Sequence, residues 1–363
     1  MLMLNIVPTS PKQAARFLPV AYALRLPVFL WGKPGVGKSD LIRGFAGAER
    51  MDLIDLRLTT LESCDLRGLP RINHDTGETE WVRPEFLPRN DAAAVIFLDE
   101  LTAAEPRIQA SAYQLILDRC IGKHRLPEQV WVVGAGNAPE DGAVSYGMGT
   151  ALADRFVHLN VIANPDDWIE WAMTAGVAPE VITFIRVRPE MLDSCGGQER
   201  TEQLVTPSPR SWTRVSQVLE QTRDQSARSI AVNGLVGEAV AVQFFHALEE
   251  IGQLPPISRL LEMPAQMAAR QVPATISALY GLAYSLVAYA SELQHFELAI
   301  ELLDAVAEVE DKLPRREIQS LGMELLLGKA HRGNLFQAVA KSETYRRVYK
   351  SKARELVDLG RAA

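Results

Sequence analysis

Five short apolar runs, each bounded by turn residues, punctuate the first 165 residues. They are Pro27-Val28-Phe29-Leu30-Trp31, Leu53-Ile54-Asp55-Leu56, Ala94-Val95-Ile96-Phe97-Leu98, Val130-Trp131-Val132-Val133 and Phe156-Val157-His158-Leu159. Runs this continuous predict strands of a parallel sheet covered on both faces rather than half-exposed strands. Helical patterns lie between them. In the stretch from Pro106 to Asp118, Ile108, Ala112, Leu115 and Ile116 share one face and Pro106 suits the first helical position. Alternating β and α elements predict an αβα sandwich around a five-stranded parallel sheet. After Asn164 the strand signals vanish. Residues 165–185 read as helices, and Pro189 to Pro209 as a polar, irregular segment containing Gly196-Gly197. From Ser211 onward the chain is almost wholly helical. Ile230 to Leu248 and Ala274 to Leu293 are rich in Ala, Val and Leu, and Phe296 to Lys312 is amphipathic. The closing stretch sets Lys341, Arg346, Arg347, Lys350, Lys352 and Arg354 against Glu343 and Glu355, and reads as a solvated helix face.

Composition narrows this picture. The 363 residues are 47% hydrophobic and 23% charged, an ordinary globular balance. The net charge of −7 counts against a constitutive nucleic-acid coat, though not against a local basic face. Cys64, Cys120 and Cys195 are far apart and the six histidines are scattered, so neither a disulfide framework nor a zinc site is expected. The N-terminus lacks the charged-then-apolar pattern of a signal peptide. The most apolar stretch, Phe17 to Trp31, is broken by Arg25, Pro19 and Pro27 and is too short to span a bilayer. A cytoplasmic protein with no membrane contact is expected.

The chemistry is carried by a few strand ends. Gly32-Lys33-Pro34-Gly35-Val36-Gly37-Lys38-Ser39 fits G-x-x-x-x-G-K-[ST], after a strand and before a helical stretch opened by Asp40. Glycines let backbone N–H groups wrap phosphates, and the positive end of the helix faces them. Lys38 would reach the β- and γ-phosphates, and the Ser39 hydroxyl would ligate Mg²⁺. Val95-Ile96-Phe97-Leu98 ends in Asp99-Glu100, which places two carboxylates at a sheet's ligand-binding edge. Asp99 would hold Mg²⁺ and Glu100 would polarise a water. Standing alone, such a strand end also serves as a helix N-cap. Val133-Gly134-Ala135-Gly136 ends in Asn137, either a water-positioning amide or a turn asparagine. Leu152-Ala153-Asp154-Arg155-Phe156 offers an arginine finger or an Asp–Arg surface pair. Pro207-Ser208-Pro209-Arg210 opens a helix with a phosphate-sensing or merely solvated arginine.

In this order, the P-loop, Asp-Glu strand, Asn strand, Asp-Arg-Phe and Pro-Arg resemble the AAA+ ATPases, particularly the MoxR group of the helix-2-insert clade. Thr60 to Pro84, with a turn at Asp75-Thr76-Gly77, looks like that clade's hairpin insert. Ile121-Gly122-Lys123-His124-Arg125-Leu126-Pro127 looks like its second hairpin. The resemblance covers roughly Pro11 to Leu219. It implies ATP hydrolysis with Mg²⁺, and ATP cradled by Gly32 through Asp40. It also implies a homo-oligomeric ring, commonly a hexamer, in which Arg155 completes the neighbour's site in trans and Arg210 acts in its own. Trp81, Arg83, Lys123, His124 and Arg125 would then face the channel. The expected domains are a nucleotide-binding α/β domain over 1–164, a helical lid over 165–250 and a helical extension over 251–363. The extension is longer than in MoxR proteins, and its job does not follow from the resemblance. A protein substrate or a partner bearing a von Willebrand factor A domain is the first expectation. The alternative is a nucleic-acid-stimulated motor or restriction-associated translocase.

Overall fold

The computed structural model describes residues 6–88, 92–138, 146, 148–193 and 204–349. Cys195, the Gly196-Gly197 pair and Lys350, Lys352, Arg354 and Glu355 of the basic stretch lie outside these residues. The chain divides into two compact units. One is Met1–Asp167 with Ser208–Arg210, and the other is Trp168–Pro207 with Ser211–Ala363.

The first unit runs β1 (Pro8–Thr9), α1 (Pro11–Ala23), β2 (Val28–Trp31), α2 (Lys38–Ala48), β3 (Asp52–Arg57) and α3 (Ser63–Arg67). It continues with β4 (Pro70–Ile72), β5 (Thr79–Trp81), β6 (Ala94–Asp99), α4 (Pro106–Leu117), β7 (Cys120–Ile121) and β8 (His124–Arg125). It closes with β9 (Val130–Gly136), α5 (Thr150–Ala153) and β10 (Val157–Val161). The main sheet has six strands in the order β1-β10-β2-β9-β6-β3, all paired parallel. The sequence pattern predicts five. The sixth, β1, is only two residues long and pairs Pro8 and Thr9 with Asn160 and Val161, so it carries no apolar run to signal it.

The continuous apolar runs feed both faces, as parallel strands must. Phe29, Ile96, Leu98, Val130 and Val132 pack with Ile108, Ala112, Leu115 and Ile116 of α4. Val28, Leu30, Val95, Phe97, Trp131 and Val133 pack on the opposite side with Ala14 and Leu18 of α1 and Ile42 and Phe45 of α2. Ser10 starts α1 with a capping box: its side chain accepts from the Gln13 N–H while Gln13 returns a bond to the Ser10 N–H.

The second unit is helical. Its elements are α6 (Pro165–Thr174, begun in the first unit), α7 (Pro179–Val187), α8 (Pro209–Gln221, its first two residues in the first unit), α9 (Gln225–Val236), α10 (Glu238–Gly252) and α11 (Ile257–Leu261). They are followed by α12 (Ala265–Ala269), α13 (Ile276–Tyr289), α14 (Leu293–Ala307), α15 (Arg315–Arg332) and α16 (Phe336–Lys341). The apolar stretch from 230 to 248 is two helices rather than one, because Gly237 takes φ +84 between α9 and α10. Leu282 and Leu286 of α13, Phe296 and Leu303 of α14 and Leu326 of α15 share a large core. Trp212, Phe184 and Phe244 form a separate aromatic knot with centroids 5.1 to 5.4 Å apart. Among the described residues no helix is long and apolar enough to cross a membrane.

Gly134 of β9 is needed for close approach. A Cβ there would lie 2.8 Å from Cδ2 of the fully buried Phe29 ring. Gly134→Ala is expected to cost about 1–3 kcal/mol of stability through overpacking, read by urea unfolding. A loss below about 0.5 kcal/mol would mean that the ring moves aside freely.

Candidate nucleotide-binding site

β2 delivers the chain to Gly32 at the carboxyl edge of the sheet, and α2 begins at Lys38 after a left-handed Gly37 with φ +100. Gly32 and Gly35 also have positive φ, and a Cβ on Gly32 would stand 2.4 Å from the Val161 carbonyl oxygen. The loop is therefore bound to glycine by conformation and by space. Val36 is buried beneath it, while Pro34 is exposed. Lys38 is 9% exposed, and its Nζ donates to the Gly32 carbonyl, to the Lys33 carbonyl at 3.1 Å and to Asn137 Oδ1 at 3.0 Å. An ammonium has only donors, so the amide oxygen of Asn137 is the atom that faces it. The asparagine at the end of β9 is thus brought onto the phosphate loop.

Ser39 Oγ donates to Asp99 Oδ2 at 3.1 Å, which joins the first turn of α2 to the end of β6. Glu100 follows with φ +59, an uncommon backbone state for a residue with a side chain, costing on the order of 1–3 kcal/mol. Its N–H donates to Asp99 Oδ1 at 2.9 Å. Its carboxylate accepts from Thr59 Oγ1 and lies 3.8 Å from Arg57 Nε. Arg57 and Thr59 are site residues that sequence reasoning missed. Their only signal is the β3–β6 register, which pairs Arg57 with Asp99 and exists only once the strands are aligned.

Asp40 is exposed and its carboxylate accepts from Arg43 at 2.6 Å, so only its backbone belongs to the loop. Arg155 is exposed after α5 and makes no ion pair with Asp154 or any other described residue. A Cβ on Gly35 would meet Ser208 Oγ at 3.0 Å and Arg210 Cβ at 3.3 Å, so the start of α8 abuts the phosphate loop. The Arg210 side chain is itself exposed.

The same unit carries two hairpins, β4–β5 and β7–β8, the second leading into the start of β9 at the opposite, amino edge of the sheet. Asn73 shapes the first turn by accepting from the N–H groups of Asp75 and Thr76. Asn73 and then Arg71 donate to Glu80 and hold its carboxyl below the usual range. His124 Nε2 lies 3.2 Å from the Trp81 carbonyl oxygen and joins the two hairpins. Leu69, Ile72, Trp81 and Val82 are exposed on the first, and Lys123 and Arg125 on the second. Arg83, expected to face the channel, is half-buried and donates to the Pro88 carbonyl.

The Ser39 and Asp99 oxygens suit Mg²⁺, which takes one or two protein oxygens and draws its other ligands from phosphates and water. No cluster of three or more His, Cys, Asp or Glu able to hold a metal occurs among the described residues, so no all-protein metal cage competes with that arrangement.

Residues 27–156 match the AAA domain of the dynein-related subfamily. The match runs from the strand before the phosphate loop to the residue after Arg155, so the glycine-rich loop, Asp99-Glu100, Asn137 and Arg155 lie within the matched stretch and Arg210 lies beyond it. Among solved structures, the chain is similar to a candidate ATPase from Cytophaga hutchinsonii at 14% identity and TM-score 0.34, covering 88% of this chain and 90% of that one. It is also similar to the RuvB Holliday junction branch migration motor of Thermotoga maritima at 15% identity and TM-score 0.36, covering 74% and 83%. Neither likeness is close enough to bear on function. No protein of curated function matches the sequence significantly.

Asp55 of β3 lies behind the two acids. Burial, and then the charge of Asp99, push its pKa up, against the lowering pull of Arg43 and Arg57. A raised carboxyl pKa favours the folded state most at low pH, and that contribution is lost as pH rises through the folded value. In metal-free protein, Asp55→Asn should therefore melt higher than wild type at neutral pH. The difference should shrink as acidification neutralises Asp55. A gap that widens on acidification would contradict the burial argument.

Proposed function

We propose that this chain is an ATP-hydrolysing ring protein of the MoxR-like kind that remodels or activates a partner protein. The observation that carries the hydrolytic reading is the convergence of Lys38, Ser39, Asp99 and Asn137 at one edge of the sheet. Lys38 exchanges its loop carbonyls for the β- and γ-phosphates, and the loop amides from Gly32 to Asp40 wrap the phosphate chain. Ser39 and Asp99 hold Mg²⁺, which when bound neutralises charge on the phosphate oxygens. Glu100 must leave Thr59 and Arg57 to polarise water, so these two residues set a resting state. Asn137 orients that water. Arg210 senses the phosphates from the start of α8 in the same chain, and Arg155 reaches the site of the next subunit in a ring, taken as hexameric. We assign residues 1–164 to nucleotide binding, 165–250 to a lid and 251–363 to an extension that docks a partner such as a von Willebrand factor A domain. The protein is read as cytoplasmic.

A protein substrate fits the hairpins better than nucleic acid does. Leu69, Ile72, Trp81 and Val82 expose apolar surface there, which suits a polypeptide. Net charge −7 opposes a phosphate backbone. The reading of the chain as a nucleic-acid-stimulated translocase stands on exposed Lys123 and Arg125 and on the basic stretch with Lys341, Arg346 and Arg347. ATPase rate measured against protein concentration, with and without DNA, separates the two. Concentration-dependent turnover indifferent to DNA is expected, and salt-sensitive stimulation by DNA would favour the translocase.

Lys38→Ala is expected to lose tight ATP binding by equilibrium titration, and retained affinity would refute the phosphate assignment. Glu100→Gln should bind ATP but lower turnover by about 10²-fold or more. Thr59→Val should raise the basal rate of an otherwise unstimulated protein. An unchanged rate would mean that the Thr59 bond does not restrain Glu100.

A further inference from the structure

Arg155 does not stand on a free loop. Ala153, two residues before it, offers a carbonyl that accepts from the Phe156 N–H at 3.2 Å and faces His158 Nε2 at 2.8 Å. The other ring nitrogen, His158 Nδ1, accepts from Trp31 Nε1 at 2.9 Å. An indole N–H can only donate, so Nδ1 must be the bare nitrogen and Nε2 must carry the proton given to Ala153. One neutral imidazole therefore bridges the last residue of β2 and the turn that presents Arg155. Trp31 is the residue directly before Gly32, where the phosphate loop begins.

The bridge is embedded in packed rings. Phe29 and Trp31 of β2 lie 4.6 Å apart by centroid, Phe29 and Phe156 5.4 Å, and Trp31 stacks with His158 at 6.0 Å. Trp31 and Phe156 are each 7% exposed. The Val157 N–H donates to the Pro27 carbonyl at 2.9 Å and starts the β10–β2 pairing immediately after the turn. The turn is thus held to β2 on both sides of Arg155, by the Ala153 carbonyl through His158 and by the Phe156 ring and the Val157 N–H, while the Arg155 side chain is exposed.

We propose that the Trp31–His158–Ala153 chain of hydrogen bonds is a positioning device, which ties the placement of Arg155 to the phosphate loop of its own subunit. A shift of the loop on filling would pass through the indole and imidazole to the turn, and so to the neighbouring site. Trp31 and His158 touch no reacting atom and act only through Arg155. The proposal rests on the reading of Arg155 as a finger in trans.

The test uses mixed assemblies isolated through two different tags. One subunit carries Arg155→Ala and supplies the intact hydrolytic site. The other carries Glu100→Gln and supplies the finger. Trp31→Phe, which keeps the ring and removes only the N–H, is then placed in one subunit or the other. In the finger subunit it should lower turnover about tenfold, less than the ~10²-fold of a 1 Å misplacement. In the site subunit the change should stay below about twofold. Equal losses in both placements, or a loss confined to the site subunit, would overturn the proposal, because the pair would then merely support its own loop. If the unmodified finger subunit fails to restore turnover, the finger reading itself falls and this proposal falls with it. His158→Phe, which cuts both bonds, serves as the second variant should Trp31→Phe melt early. It should show the same asymmetry between placements.

Discussion

A parallel sheet brings all its strand ends to one edge, and every candidate function of this chain depends on that constraint. β2, β3, β6, β9 and β10 all terminate there. They deliver Gly32, Arg57, Asp99 and Asn137 to neighbouring positions although these residues lie up to 105 positions apart. An antiparallel arrangement of the same strands would scatter them to opposite ends. The apolar continuity of the runs is what makes the parallel arrangement affordable in water, since both faces must be covered by helices.

The candidate site is assembled from polar contacts between the glycine-rich loop and the strand ends. Lys38 rests on loop carbonyls and Asn137, Ser39 on Asp99, and Glu100 on Thr59 and Arg57. The buried Lys38 ammonium would otherwise be desolvated without partners, whereas the Glu100 contacts are partly open to solvent. The unusual backbone of Glu100 is held by its own N–H bond to Asp99.

Beyond this edge the two hairpins and the turn at Arg155 have different structural characters. The hairpins are joined through His124 and the first exposes apolar side chains, whereas the Arg155 turn is clamped by aromatic packing and exposes the charged Asp154 and Arg155. A surface meant to grip varied sequence benefits from apolar, loosely specified contact. A finger aimed at a phosphoryl group needs fixed geometry.

The sequence by itself determined the strands with apolar runs, the glycine-rich loop and the acids at the end of β6, because each is a local pattern whose physics acts within a few residues. It also determined that the described residues after Asn164 carry helices and no strand. It did not register β1, whose two residues become a strand only by pairing with β10. Nor did it mark Gly237 as the break between two helices, because the break rests on a backbone angle. Tertiary structure alone decided that Thr59 and Arg57 restrain Glu100, that Arg83 is tied to Pro88, and that His158 bridges Trp31 and Ala153. Those pairs depend on strand register and side-chain reach across the sheet, and nothing in the linear order of residues encodes which strand lies beside which.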